Sequence, residues 1–150
     1  MLDALRTRGV TTFCAPPTVW RGMVAAGLGQ RPQALREATS AGEPLEAALM
    51  DRVESSWGVL LRDGYGQTET TCQIGNPPGC RPRPGSMGRP MPGYEVIVAQ
   101  SGSGTPAPPG VPGELCLDLA NRPACSAATS ATGPRPQRSS PEAATTRATS

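Results

Sequence analysis

The segment Arg62-Asp63-Gly64-Tyr65-Gly66-Gln67-Thr68-Glu69-Thr70 gathers the densest set of groups able to do chemistry. Its two glycines let a backbone turn sharply and approach a ligand closely. Tyr65 offers an aromatic face to a base. Thr68 offers a hydroxyl to a phosphate oxygen, and Glu69 offers a hard oxygen to Mg2+. The pattern predicts a buried strand that leaves through the glycines into a polar segment able to start a helix, whose first amides attract phosphate. Composition alone favours a plainer reading, an ordinary strand-to-helix turn.

The residues that are missing narrow the chemistry further. The chain has no His and no Lys, and all 14 of its basic residues are Arg. A Ser-His or Cys-His pair, a phosphate loop ending in Gly-Lys-Ser/Thr and a Schiff-base lysine are therefore excluded. Chemistry must run on carboxylates, hydroxyls, Arg and backbone amides, or on residues from another chain. Three of the arginines and one acid lie from residue 124 onward, which leaves 11 basic and 11 acidic groups before it. That balance gives no electrostatic basis for binding nucleic acid or an anionic membrane. No apolar stretch has the length of a signal peptide or a membrane span. Cysteines stand at 14, 72, 80, 116 and 125, an odd number with no CxxC spacing. Reduced thiols in a cytoplasmic protein are expected, and Cys72 with Cys80 lacks further partners for zinc.

These groups need elements to hold them. At 150 residues the chain has the length of one domain. Leu2 and Leu5 predict a short helix ended by Gly9, and Val10 to Cys14 a buried strand. Pro16 and Pro17 open a helix with Val19, Trp20, Met23 and Val24 on one face, ended by Gly27 and Gly29. Ala34 to Ala41 predicts a second strand. Pro44 then starts a helix in which Leu45, Ala48, Leu49, Val53 and Trp57 recur at spacings of three and four, with Gly58 as its left-handed cap. Val59 to Leu61 is apolar throughout, as a strand covered on both faces is. This β-α-β-α-β order predicts an α/β fold, a partial parallel sheet with packed helices and right-handed connections. Ligands of such sheets collect at the carboxyl ends of the strands. Those ends are Ala15-Pro16-Pro17, Gly42-Glu43-Pro44 and Asp63-Gly64-Tyr65-Gly66.

The pattern changes after residue 75. Asn76 to Pro84 is a Pro-Gly-Arg loop, and Tyr94 to Ala99 and Gly113 to Leu119 predict an antiparallel hairpin around the connector from Ser101 to Pro112. Residues 124–150 hold no Val, Ile, Leu, Met or aromatic residue, so a disordered low-complexity tail is expected.

The segment around Tyr65 resembles the Tyr-Gly-x-Thr-Glu motif of the adenylate-forming (AMP-binding) superfamily. Further stretches match in order: Val10 to Arg21, Ala41-Gly-Glu-Pro-Leu45, Gly85-Ser-Met-Gly-Arg-Pro90 with Pro92-Gly93, and Gly113-Glu-Leu115. Together they cover about residues 1–123 and place the chain as similar to an internal piece of the large N-terminal domain. Gln67, where peptide-synthetase domains carry Pro, aligns it with the acyl-CoA synthetase branch. The resemblance implies ATP, Mg2+ and coenzyme A as co-substrates: a carboxylate attacks the α-phosphate of ATP, and CoA then displaces AMP. It implies that Gly42, Glu43 and Pro44 wall the adenine and that Tyr65 stacks on it, beside Asp63, Gly64 and Gln67. It gives Thr68 the α-phosphate and Glu69 the metal as catalytic residues. Gly66 and Trp20 fall to the acyl pocket. Gly66, where acetyl-CoA synthetases have a bulky Trp, implies an acid larger than acetate.

By the same resemblance, residues 1–75 are a partial AMP-binding subdomain and 76–123 a loop and hairpin region of the same domain. The family's lysine-bearing phosphate loop, its Thr-Gly-Asp segment and its small C-terminal domain have no match. The fragment is therefore expected to be inactive alone and to need the remainder of the enzyme as a partner. The match stops at Arg122-Pro123, as a frameshift in a G/C-rich gene would make it. Uncovered sheet edges predict marginal folding. Two alternatives remain open at this level. One is a non-catalytic product with residual nucleotide binding or an interaction role, for which Pro109-Gly-Val-Pro112 formally fits PxxP. The other is half of a split enzyme.

Overall fold

Residues 1–68 and 70–117 are described by a computed structural model of the chain. Helix α1 (Leu2–Thr7) leads to strand β1 (Thr12–Cys14), helix α2 (Pro17–Ala25), strand β2 (Glu37–Ala41), helix α3 (Ala47–Trp57) and strand β3 (Leu61–Gln67). Strands β4 (Thr71–Gly75), β5 (Arg89–Pro90), β6 (Val96–Ala99) and β7 (Glu114–Leu117) follow. The described residues form two compact units, one of Met1–Gly66 with Ile74–Arg89, the other built from 67–73 and 90–117.

In the first unit β2 pairs in parallel with β1 and with β3, in the registers Cys14↔Thr39 and Ser40↔Asp63. The sheet to which they belong runs in the order β1-β2-β3-β4-β5. The expected β-α-β-α-β layout with a parallel sheet is thus present. Helices α2 and α3 pack on each other, and their buried residues Trp20, Met23, Leu49 and Val53 share one core with Ala38 of β2 and Leu61 of β3, which places both helices on one face of the sheet. Alternation along the strands shows which face: Ala38 and Ser40 of β2, and Leu61 and Asp63 of β3, are buried, while Glu37, Thr39, Ala41, Arg62 and Gly64 are partly open. Trp20, Val53 and Leu61 are at most 1% exposed and anchor the core. Trp20 meets Phe13 and Trp57 edge-on, with ring centroids 5.1 and 6.1 Å apart, a geometry aromatic quadrupoles favour. Its indole N–H donates to the Thr39 carbonyl at 3.1 Å.

Several element boundaries differ from the expected ones. Strand β2 begins at Glu37 rather than Ala34, because Pro32 starts a turn closed by the Leu35 amide on its carbonyl at 3.1 Å. Helix α3 begins at Ala47, not at Pro44; its N-cap, Glu46, is still extended at φ −78° and ψ 138°. Residues 42–46 are held instead by contacts to α2 and β3. The largest departure is at the motif. Strand β3 does not end at Leu61 but continues to Gln67, and among the described residues no helix follows it. A turn, in which the Thr70 amide donates to the Gln67 carbonyl at 3.1 Å, leads to β4. Gly64 is therefore a strand residue paired with Ala41, and the expected phosphate-binding helix N-terminus is replaced by this turn.

In the second unit β6 and β7 form the expected antiparallel hairpin, with Val96 opposite Leu117 and Ala99 opposite Glu114. Here too the Tyr94 hydroxyl donates to the Thr70 carbonyl, and the Gln73 amide to the Thr70 hydroxyl. Leu119 and the expected tail, residues 124–150, lie outside the described residues. Among the described residues no helix is long and apolar enough to cross a membrane.

Candidate functional site

The carboxyl ends of β2 and β3 carry most of the expected site residues. The last β2–β3 pair is Ala41↔Gly64, so Tyr65, Gly66 and Gln67 extend past the end of β2. Alternation puts Tyr65 on the helix side, with Leu61 and Asp63, and Gly66 on the opposite side, with Arg62 and Gly64. Tyr65 is half-buried, whereas Gly66 and Gln67 are exposed. Thr68, in the turn after β3, is exposed, and Glu69 lies outside the described residues.

Asp63 is the buried charge of this end, with 8% of its surface exposed. Its Oδ1 accepts the Gly64 amide at 2.9 Å, and its carboxylate also accepts the Leu45 amide. Burial raises its pKa from 3.8 to about 6, against the smaller lowering effect of the two amides. Desolvation penalises the charged carboxylate more than two neutral donors restore. Asp63 therefore ties β3 to the loop after β2 rather than projecting into open space. Beside it in the register, Ser40 is 1% exposed, and its hydroxyl is buried without a hydrogen-bond partner. Behind the strand, Asn76 donates to the carbonyls of Asp63 at 2.9 Å and Met87 at 3.2 Å. On the other face Arg62 pairs with Glu37.

The loop Gly42-Glu43-Pro44 is exposed at the end of β2. The Glu43 carboxylate turns toward α2, where it accepts the Thr18 hydroxyl at 2.7–2.8 Å and Arg21 Nη2 at 3.1 Å. Arg21 reaches Glu46 through Nη1 at 3.1 Å. Trp20, expected at the acyl pocket, sits in the helix–sheet core at 0% exposure. The fold thus brings Gly42, Glu43, Pro44, Asp63, Gly64, Tyr65 and Gly66 to one sheet end, with Trp20 beneath it. Sequence reasoning missed Arg21 and Asn76 as supports of this end. No spacing rule links Arg21 to Glu43, 22 residues on, or Asn76 to Asp63, 13 residues back.

Such an arrangement suits binding better than proton transfer. It presents backbone, an aromatic ring and a hydroxyl, while its buried carboxylate is occupied by two amides. Among the described residues no three His, Cys, Asp or Glu side chains converge where a metal ion could sit.

Residues 1–121 match the model of the AMP-binding enzyme family. The chain is 39% identical over 123 residues to 4-hydroxybutyrate–CoA ligase 1 of Metallosphaera sedula, covering 81% of this chain and 22% of that protein. It is 39% identical over 126 residues to the human mitochondrial acyl-coenzyme A synthetase ACSM4, covering 83% of this chain and 22% of that protein. Among solved structures it resembles an anthranilate CoA ligase in complex with anthranoyl-AMP, at TM-score 0.71 and 32% identity over 81% of this chain and 24% of that one. An acyl-CoA synthetase of Brucella canis is similar at TM-score 0.71 and 35% identity, over 81% of this chain and 23% of that one. The chain therefore spans about a fifth of the length of the relatives it matches.

Proposed function

Because the chain belongs to the AMP-binding enzyme family, we propose that it is part of an ATP-dependent acid–CoA ligase of the acyl-CoA synthetase branch and carries the adenylate-binding edge of the active site. The reaction joins a carboxylic acid to ATP as an acyl-adenylate with release of pyrophosphate, and CoA then displaces AMP. The observation that carries this reading is the placement of the Gly42–Pro44 loop and Tyr65 at the carboxyl ends of neighbouring parallel strands, where α/β sheets collect ligands.

In this reading the backbone of Gly42, Glu43 and Pro44 walls the adenine, and Tyr65 stacks on it beside Asp63, Gly64 and Gln67. Thr68 donates its hydroxyl to the α-phosphate. Glu69 would be the residue that holds the magnesium ion of the triphosphate, whose charge would offset that of the phosphates. Gly66, on the other side of β3 from Tyr65, leaves room for an acyl group larger than acetyl, whereas Trp20 lies fully buried in the core on the helix side. The relatives named for 4-hydroxybutyrate and anthranilate are in keeping with such an acid. Free thiols at Cys14, Cys80 and Cys116 favour a cytoplasmic setting.

The chain has no Lys and no His to neutralise a transferring phosphoryl group or move a proton. By itself it is expected to bind adenylate without turning it over, and to need the rest of the enzyme for both half-reactions. Calorimetric titration of the 150-residue chain with AMP and with a non-hydrolysable acyl-adenylate analogue tests this. Saturable binding of both, the analogue more tightly, is expected; the absence of binding for either at millimolar concentration defeats the proposal.

A further inference from the structure

From the contacts of Glu43, we infer that Arg21 and Thr18 of helix α2 are positioning residues for the nucleotide, acting through the Glu43 carboxylate on the backbone of the Gly42–Leu45 loop. The inference rests on the proposed adenylate-binding role of that loop.

The geometry is a fork with two prongs. Arg21 Nη2 meets Glu43 Oε2 at 3.1 Å and the Thr18 hydroxyl at 2.9 Å, while Nη1 meets Glu46 Oε1 at 3.1 Å. Thr18 donates to the same Glu43 carboxylate. One planar guanidinium thus spans both ends of the segment between β2 and α3, a task a point-charge ammonium performs poorly. The other side of the segment is fixed by the Leu45 amide on Asp63. Residues 42–46 make no helix, so these two anchors take the place of a regular hydrogen-bond ladder. The Glu43 carboxylate is engaged by α2, so the loop offers the ligand its backbone and the Pro44 ring rather than that charge. The ion pairs are 40–60% exposed at their side chains, so each contributes little to global stability. Their effect is local, on the order of the loop.

The test uses the 150-residue chain, AMP as the probe and hydrogen exchange of individual amides. In Arg21→Ala, exchange at Glu43 and Leu45 should accelerate several-fold while the amides of β1 and the core of α3 keep their rates. AMP affinity should fall roughly threefold to tenfold, the size expected for losing a small network of exposed pairs. Arg21→Lys should restore part of the affinity. Glu43→Ala should weaken AMP to a similar extent, and Arg21→Ala combined with Glu43→Ala should fall short of the sum of the two losses, since the two share one contact while Arg21 holds a second on Glu46. Additive losses, or unchanged exchange at Glu43 and Leu45, overturn the inference. If the parent chain binds no AMP, the proposed function fails instead. The exchange rates then still decide whether Arg21 orders the loop.

Discussion

The Leu45 amide donates to the carboxylate of Asp63, so strand β3 holds the loop that follows its neighbour β2. That contact makes Asp63 a structural strut at the edge of the candidate site, and it gives the strut a proton switch. Its pKa of about 6 lies above the ordinary 3.8 because burial outweighs the two amide bonds. Between about pH 4 and 6 the folded protein keeps a proton that the unfolded chain has released.

Stability from this group is therefore fully present below about pH 4 and is lost as pH rises through 6, by about 3 kcal/mol at most. Asp63→Asn retains an acceptor oxygen and removes the titration. Denaturant unfolding of parent and variant at pH 4.5 and 7.5 should show the parent losing stability relative to the variant at the higher pH. A difference between the two that is the same at both pH values would refute the strut's titration.

Tyr65 and Gly66 lie on opposite sides of β3, so their substitutions should separate two halves of one ligand. Tyr65→Ala should weaken AMP by roughly tenfold, as loss of base stacking does, whereas Tyr65→Phe should remain within about twofold. Gly66→Trp should leave AMP affinity nearly unchanged but sharply weaken an analogue carrying an aromatic acyl group. Calorimetry with both ligands checks this, and equal weakening of both by Gly66→Trp would contradict the division.

Two glycines with positive φ should differ in what a methyl group does to them. Gly58 ends α3 at φ 64° and ψ 24°, and a Cβ there meets open space. Gly58→Ala should cost about 1 kcal/mol of backbone strain. Gly88 has φ 108°, and a Cβ there collides with the Gly75 carbonyl and crowds the Asn76 amide. Since Asn76 bridges the carbonyls of Asp63 and Met87, Gly88→Ala should cost well over twice as much as Gly58→Ala, about 3 kcal/mol or more. Thermal melts of the two variants against the parent give the comparison.

Local rules carried the reading of the helices and of their order. The three- and four-residue recurrence from Leu49 to Trp57 and the cap at Gly58 are both present in the structure, because a helix interior and its left-handed end are decided within a few residues. The same rules failed at the helix start. Pro44 is a good first-turn residue by itself, but the Leu45 amide and the Glu46 carboxylate are drawn to Asp63 and Arg21. Those partners are distant in the chain and invisible to any window of neighbours.

From the sequence alone came the types of group available and the order of the elements: a chain without Lys or His, alternating apolar segments, and the Tyr65–Glu69 signature. Those depend on composition and on short-range periodicity. Tertiary structure decided how the groups meet. Pairing with β2 drew Asp63 and Gly64 into an extended strand where their composition suggests a turn, since ladder hydrogen bonds and burial outweigh local propensity. It also turned Glu43 toward α2 and buried Trp20 in the core. Contacts between residues some 20 positions apart exist only once two helices share one face of a sheet, and that is a property of packing.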